Sequence, residues 1–385
     1  MVCLLLSPLI SPPPFSLYIH LPWCVRKCPY CDFNSHAADV IPEAAYLDAL
    51  ERDLVAALPQ VWGREVVSIF MGGGTPSLFS AEAIDRLLTR VRTLLRVHPA
   101  AEITLEANPG TFEVDRFTGY RAAGVSRLSL GVQSFDDAVL GRIGRIHDGA
   151  QARAAAEAAR EIFDNLNLDL IYALPGQSGA DLQRDLDIAI GIQPDHLSCY
   201  HLTLEPNTAF GHTPPAALPD DDQAAGMQDL IENTLAIAGF VHYETSAYAR
   251  PQQQARHNLN YWQFGDYLGI GAGAHSKLSL PEGIVRQARA KRPEVYMQHA
   301  GTMQAYVETP VALCDLPFEF MMNALRLTQG VEVGLFTERT GLPLLNCAPQ
   351  LARARARGLL HNDRLQPTPL GQRFLNDLLT LFLPD

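Results

Sequence analysis

Three cysteines stand within eight residues, Cys24-Val25-Arg26-Lys27-Cys28-Pro29-Tyr30-Cys31, at C-x3-C-x2-C spacing. Thiolates are soft ligands that suit iron–sulfur clusters, zinc and copper(I). A cubane cluster has four irons, ordinarily held by four cysteines. Three local cysteines would hold three irons and leave one corner open, where a small molecule can bind and accept an electron. Structural zinc prefers four ligands in paired C-x2-C knuckles. No second C-x2-C is present, and Cys3, Cys199, Cys314 and Cys347 are scattered. Zinc stays open as a reading, with His20 or His36 as fourth ligand, and so do three unrelated thiols. A disulfide framework does not suit a long chain with few, unevenly spread cysteines.

The elements that would position this loop are strand–helix repeats. The loop follows a strand-like run, Ser16 to Leu21. Further runs are Val66 to Met71, Glu102 to Asn108, Arg127 to Gln133, Leu166 to Leu174 and His196 to Leu204. Helical stretches separate them: Pro42 to Leu58, a helix capped by Ser80 and running to about Arg96, and the Ala-rich Gly149 to Phe163. Val66–Met71 empties into Gly72-Gly73-Gly74-Thr75-Pro76, where glycines let a backbone approach a ligand closely and bare its N–H groups. Six strand–helix alternations predict a parallel α/β sheet. A partial (β/α)6 barrel fits the spacing, with its site at the C-terminal ends of the strands. Chain order puts the cysteine loop, the glycine loop, Glu106 and Gln133 at those ends. Asp220-Asp221-Asp222 starts a helix that Gly239 stops, and His242 to Tyr248 reads as an edge strand.

His257-Asn258-Leu259-Asn260-Tyr261-Trp262 then groups imidazole, amide, phenol and indole just before the turn-rich Gly265 to His275. Histidine is a common heme-iron ligand, and aromatic rings can line a macrocycle. A packed loop with a hydrogen-bonded histidine is the plainer reading of the residues alone. From about Ala290 the pattern turns helical: Leu316 to Leu327, Val333 to Thr340, Leu345 to Arg357 and Leu370 to Leu381. A small hairpin over Leu359 to Thr368 has its turn at Asn362-Asp363.

At 385 residues the chain suits two domains. The expected division is a flexible leader over 1–15, the barrel over 16–250, a connecting segment over 251–300 and a C-terminal domain over 301–385. The net charge of −12 argues against a general nucleic-acid-binding surface. Met1 to Ile10 is apolar but lacks a basic flank, and Ser11-Pro12-Pro13-Pro14 breaks any helix. No run reaches the ~18 apolar residues of a membrane span. Reduced thiols point to the cytoplasm.

Tyr18-Ile19-His20-Leu21-Pro22-Trp23-Cys24, the triad and Gly72 to Pro76 resemble the radical S-adenosylmethionine (SAM) superfamily. More narrowly, they are similar to the branch holding oxygen-independent coproporphyrinogen III dehydrogenases and the related heme chaperones. The resemblance runs from about Leu17 through the C-terminal region. It implies a partial (β/α)6 radical SAM barrel with a smaller helical, winged-helix-like C-terminal domain. It also implies a 4Fe–4S cluster on Cys24, Cys28 and Cys31, whose open iron chelates SAM and whose electron can cleave SAM to a 5′-deoxyadenosyl radical.

Matched motif by motif, the resemblance implies that Tyr18 and Tyr30 touch SAM and that Gly73, Gly74 and Thr75 meet its amino group. It gives Glu106 a ribose or amino contact, Gln133 a SAM contact, Arg145 the carboxylate and Asp169 the ribose. Singly, Glu106 and Asp169 also read as ion-pair partners and Arg145 as a surface charge; five in register argue for a site. The His-Asn-x-x-Tyr-Trp signature implies heme contact by His257, with His275 as an alternative ligand.

Two departures separate the relatives. The dehydrogenase carries a further cysteine two residues after the triad, where Phe33 stands here, and a longer N-terminal segment. The implied function is a heme chaperone that delivers heme to acceptor hemoproteins, using a SAM-coordinated cluster. The alternatives are a coproporphyrinogen III dehydrogenase acting on propionate side chains, and a non-SAM iron–sulfur or zinc protein. Heme and acceptor hemoproteins are the expected partners. Homodimer formation and peripheral membrane contact are left open, and no nucleic acid is expected.

Overall fold

The structure, a computed structural model, describes residues 11–111 and 114–384. Residues 1–10 of the expected leader lie outside these. Its last residues are tied down: Asp266 N–H donates to the Pro14 carbonyl (2.9 Å), and Arg64 to that of Pro13 (2.6 Å).

β1 (Phe15–Leu21) shows how the sequence builds the barrel. Leu17, Ile19 and Leu21 are fully buried on the outer face, under the helices. The alternate residues Ser16, Tyr18 and His20 face the lumen, so one strand supplies both the core and the site. Each buried aliphatic side chain stabilises by roughly 1.5–3 kcal/mol. β2 (Trp23–Cys24) and β3 (His36–Ala37) form a small parallel pair that frames the cysteine loop. β4 (Glu65–Gly73), β5 (Arg96–Ala107), β6 (Arg127–Gln133), β7 (Asn165–Tyr172) and β8 (His196–His201) complete the six expected strands.

The helices between them begin at side-chain caps. Ser80 accepts the Ala83 N–H (3.2 Å) and starts Ala81–Leu94. Asp148, Ser178 and Asp220 each form a capping box, for Gly149–Ile162, Gly179–Gly191 and Asp221–Ile237. Such caps contribute about 1 kcal/mol each. Gly239 ends the last of these at φ +85°, as its position in the sequence predicts.

The sheet goes further than six strands. β9 (Val241–Glu244) and β10 (Ala247–Ala249) add antiparallel to β8. On the other side β11 (Asp266–Ile270) pairs parallel with β1, matching Tyr18 to Gly269. β12 (His275–Leu280), β13 (Gly283–Arg289) and β14 (Tyr306–Pro310) follow as an antiparallel meander. The twelve-stranded order is β14-β13-β12-β11-β1-β4-β5-β6-β7-β8-β10-β9. The stretch 251–300, read as a connecting segment, therefore supplies three strands of the barrel sheet.

A second core lies in the C-terminal part, around Leu316, Phe320, Phe336, Leu351 and Leu378. It reaches back to Phe264 and Ile284. Its helices are Leu316–Ala324, Val333–Thr340 and Ala348–Ala356, and two short ones, Pro369–Arg373 and Leu375–Thr380, replace the single closing helix expected. The expected hairpin is reduced to a bridge between Leu360 and Pro367. Among the described residues no helix is long and apolar enough to cross a membrane.

Candidate functional site

Cys24 ends β2, and Cys28 and Cys31 follow in a turn closed by the Cys31 N–H on the Cys28 carbonyl (3.1 Å). All three are free and half-buried. Each sulfur has a polar neighbour. The Thr75 hydroxyl donates to Cys24 (3.4 Å), Arg145 Nη1 donates to Cys28 (3.5 Å), and the Ser35 hydroxyl is 3.9 Å from Cys31. Burial pushes the Cys24 and Cys31 thiols up, with hydrogen bonds opposing it, so metal uptake would release their protons. Among the described residues no three His, Cys, Asp or Glu side chains converge on one metal position. A cubane does not ask for that, because each cysteine takes its own iron. Three thiols in one loop, each beside a polar group, fit a cluster with one free corner.

The glycine loop is built differently from the expectation. Its N–H groups are not bared: Gly73 donates to Glu106 Oε2 (3.1 Å), Gly74 to the Leu21 carbonyl and Thr75 to that of Trp23. Glycine is required for space instead. Gly73 has φ +113°, and a Cβ there would lie 2.3 Å from the His20 ring; one on Gly74 would lie 2.5 Å from the Trp23 carbonyl. The loop is pressed between β1 and the cysteine loop.

Inward-facing residues connect the mouth to the lumen. Tyr18 O–H is 2.8 Å from His20 Nδ1, and His20 Nε2 is 2.9 Å from the Asn34 carbonyl, next to the triad. Tyr18 thus sits one step below the mouth. Arg145 Nη2 donates to Asn108 Oδ1 (2.8 Å) and the Gly131 carbonyl (2.7 Å), while its buried Nε has no partner. Gln133 has φ +69°, and its side chain lies over Gly131 beside Arg145. A non-glycine residue held there is strained, and such strain clusters at functional sites. Tyr30 packs on Phe210, and burial pushes its hydroxyl up while Arg145 opposes that.

Glu106 and Asp169 face the lumen from β5 and β7. Asp169 accepts from Ser129 (3.0 Å) and Asn167 (2.8 Å). Burial, then the charge of Asp169, pushes the Glu106 carboxyl up to about 7. Asp169 is also raised by burial, against hydrogen bonds from Asn167, Ser198 and Ser129. Arg127, buried on β6 between those strands, lowers both. The sequence reading missed His20 as a lumen link, and also Asn34, Asn108, Arg127, Ser129 and Asn167. Inward alternation along the strands was the available signal for the last three.

The structure gathers the triad, Tyr30, Gly73, Gly74, Thr75, Glu106, Gln133, Arg145 and Asp169 at one end of the barrel, with Tyr18 just below. His257 lies at the other end. The helix Arg256–Trp262 packs against β1, β4 and β11 and closes the floor. His257 is 2% exposed. Its Nδ1 is 3.0 Å from Ser68 Oγ and its Nε2 is 3.1 Å from Tyr261 O–H, with the ring stacked on Phe70. Asn260 of the same motif donates to Ser16 and to the Asp266 carbonyl (2.9 Å each). With both nitrogens engaged and no open face, this imidazole is not offered to a heme iron. The packed, hydrogen-bonded histidine is what the geometry presents.

Fold and site together define a radical SAM protein: residues 18–189 match the model of the radical SAM superfamily, and residues 312–374 that of the HemN C-terminal domain. The heme chaperone HemW of Escherichia coli (strain K12) is 48% identical over 98% of this chain and 100% of its own length. HemW of Haemophilus influenzae is 47% identical over 97% and 99%, and that of Bacillus subtilis 32% over 96% and 99%. The solved structure of the E. coli coproporphyrinogen III oxidase HemN, a radical SAM enzyme, is similar at a TM-score of 0.81. It is 25% identical, covering 96% of this chain and 90% of that one. The chain belongs to the HemN-like branch of the radical SAM superfamily, within the HemW family of heme chaperones.

Proposed function

We propose that this chain binds heme and passes it to acceptor hemoproteins, with a SAM-coordinated 4Fe–4S cluster at the barrel mouth. The observation that carries the reading is full-length similarity to proteins named heme chaperone HemW. Phe33, standing where the resemblance expects the dehydrogenase's further cysteine, agrees with it.

In this reading Cys24, Cys28 and Cys31 would hold three irons of the cluster and leave the fourth for SAM. Arg145 takes the SAM carboxylate: a guanidinium suits that bidentate task, and its unpartnered buried Nε leaves it a donor to give. Glu106 and Asp169 take the amino and ribose groups, with Gln133 beside them. Gly73, Gly74, Thr75 and Tyr30 wall the site, and Tyr18 supports it through His20. When bound, the cluster supplies a one-electron donor and a chelation point for SAM. The protein's share is to orient SAM and keep water from it. The C-terminal part, expected over 301–385, packs on the floor helix Arg256–Trp262 through its helix Leu316–Ala324. A cytoplasmic location agrees with reduced thiols, and self-association or contact with a membrane surface would serve delivery.

The competing reading is a coproporphyrinogen III dehydrogenase, which the fold similarity to HemN favours. Anaerobic assay of the cluster-reconstituted protein separates the two. Saturable uptake of about one heme per chain without decarboxylation of coproporphyrinogen III is expected. Turnover of coproporphyrinogen III would overturn the chaperone reading.

A further inference from the structure

A surface that holds heme needs an axial ligand, apolar contact for the ring and cations for the propionates. With His257 sealed in the floor, the ligand must come from elsewhere. At the mouth, His20 is committed to Tyr18 and Asn34, and His36 Nε2 lies 3.3 Å from the Lys291 carbonyl. His201 stands at the rim against Tyr172 and near the carboxylate of Asp221, which would repel propionates.

His275 differs from all three. It opens β12 directly after the Gly271–Ala274 turn, is exposed, and makes no side-chain hydrogen bond among the described residues. The β12–β13 register puts it on the same face as Arg286. Partial burial and the nearby Lys291, Arg286 and Arg289 hold its imidazole below the usual range, in the neutral form that ligates metal.

Cations and an aromatic ring lie beside it. The chain has three lysines. Lys277 is buried against Asp266 (3.0 Å); the other two, Lys27 and Lys291, are exposed at the mouth of a chain whose net charge is −12. Lys27 Nζ holds the Phe33 carbonyl (3.0 Å), and the Phe33 ring is 62% exposed. Asn34 follows, and its side chain donates to the carbonyls of Ala272 (2.9 Å) and Lys291 (2.8 Å). Asn34 therefore joins Lys27 and Phe33 to Lys291 and the turn before His275.

We propose that heme docks on this face of the mouth, with His275 as axial ligand, Phe33 against the ring, and Lys27 and Lys291 on the propionates. This rests on the heme-chaperone reading. The test is an anaerobic hemin titration of the cluster-reconstituted full chain, read by Soret absorption. His275→Ala should lose the Soret shift and raise the Kd on the order of tenfold, and added imidazole should restore the shift. Lys27→Gln with Lys291→Gln should weaken binding and flatten its salt dependence. His257→Ala should keep the parent spectrum. If His275→Ala were to lose the far-UV circular dichroism of the fold, His275→Gln takes its place in the same titration. A parent-like spectrum and Kd in the His275 variant would overturn this assignment alone. Failure of the unsubstituted protein to bind hemin would overturn the chaperone reading with it.

Discussion

Arg145 shows how much a single side chain can be asked to do. It reaches the Cys28 sulfur, Asn108 and the Gly131 carbonyl, yet keeps one buried donor unpaired. Arg145→Leu should weaken SAM binding by about tenfold or more while iron content stays at the parent level, because charge-assisted bidentate bonds are lost but no thiolate is. Equilibrium dialysis with iron analysis reads both, and loss of iron alone would contradict the assignment. Glu106 gives a pH test. Its folded carboxyl titrates at about 7, so at pH 6 it is mostly neutral and cannot complement the cationic groups of SAM. SAM affinity should fall as pH drops from 8 to 6; a flat profile would remove Glu106 from the contact. Glu106 was legible because chain order placed it at a strand end, and Arg145 because of its motif. Asn34 was not, since its hydrogen bonds to Ala272 and Lys291 join segments far apart in the chain and have no local signature.

At the scale of elements, the glycine loop and the floor helix are opposite cases. Gly73→Ala adds a Cβ against His20 at φ +113°. The strain of about 1–3 kcal/mol should appear as a lower Tm together with weaker SAM binding. For the helix Arg256–Trp262 the residues alone give the packed, hydrogen-bonded histidine that the geometry presents; heme contact was implied only by the resemblance, and composition does not say which end of the barrel the groups occupy.

His257→Leu would leave the buried Tyr261 hydroxyl without a partner and Ser68 with Ser16 alone, so it should lose about 1–3 kcal/mol at pH 7.5. Burial holds the His257 imidazole down at about 3, below its unfolded value of 6.5. Its contribution is therefore full above 6.5 and lost as pH falls toward 3. The stability gap between parent and variant should narrow by up to about 1.4 kcal/mol per pH unit below 6.5. Urea unfolding at pH 7.5, 6 and 5 measures it, and a constant gap would contradict the buried neutral histidine.

For the whole molecule, the six parallel strands and their helices were readable from alternation alone. β11 to β14 were not. β11 is five residues inside a glycine-rich stretch that open on Asp266, and β14 is exposed, so neither shows a run of apolar residues in the sequence. The C-terminal core takes in Phe264 and Ile284 from the barrel side, which argues against a separable module. Truncation after Pro310 should leave these residues uncovered and give an aggregating protein by size exclusion; a monodisperse, fully folded barrel would show the two parts to be independent.

In the proposed site one cluster, held by Cys24, Cys28 and Cys31, receives SAM at its open iron. Electron paramagnetic resonance of the reconstituted, reduced protein tests it directly. About four irons per chain, a reduced-cluster signal that changes when SAM is added, and loss of both in Cys28→Ala are expected. A signal indifferent to SAM, or one surviving in Cys28→Ala, would contradict it.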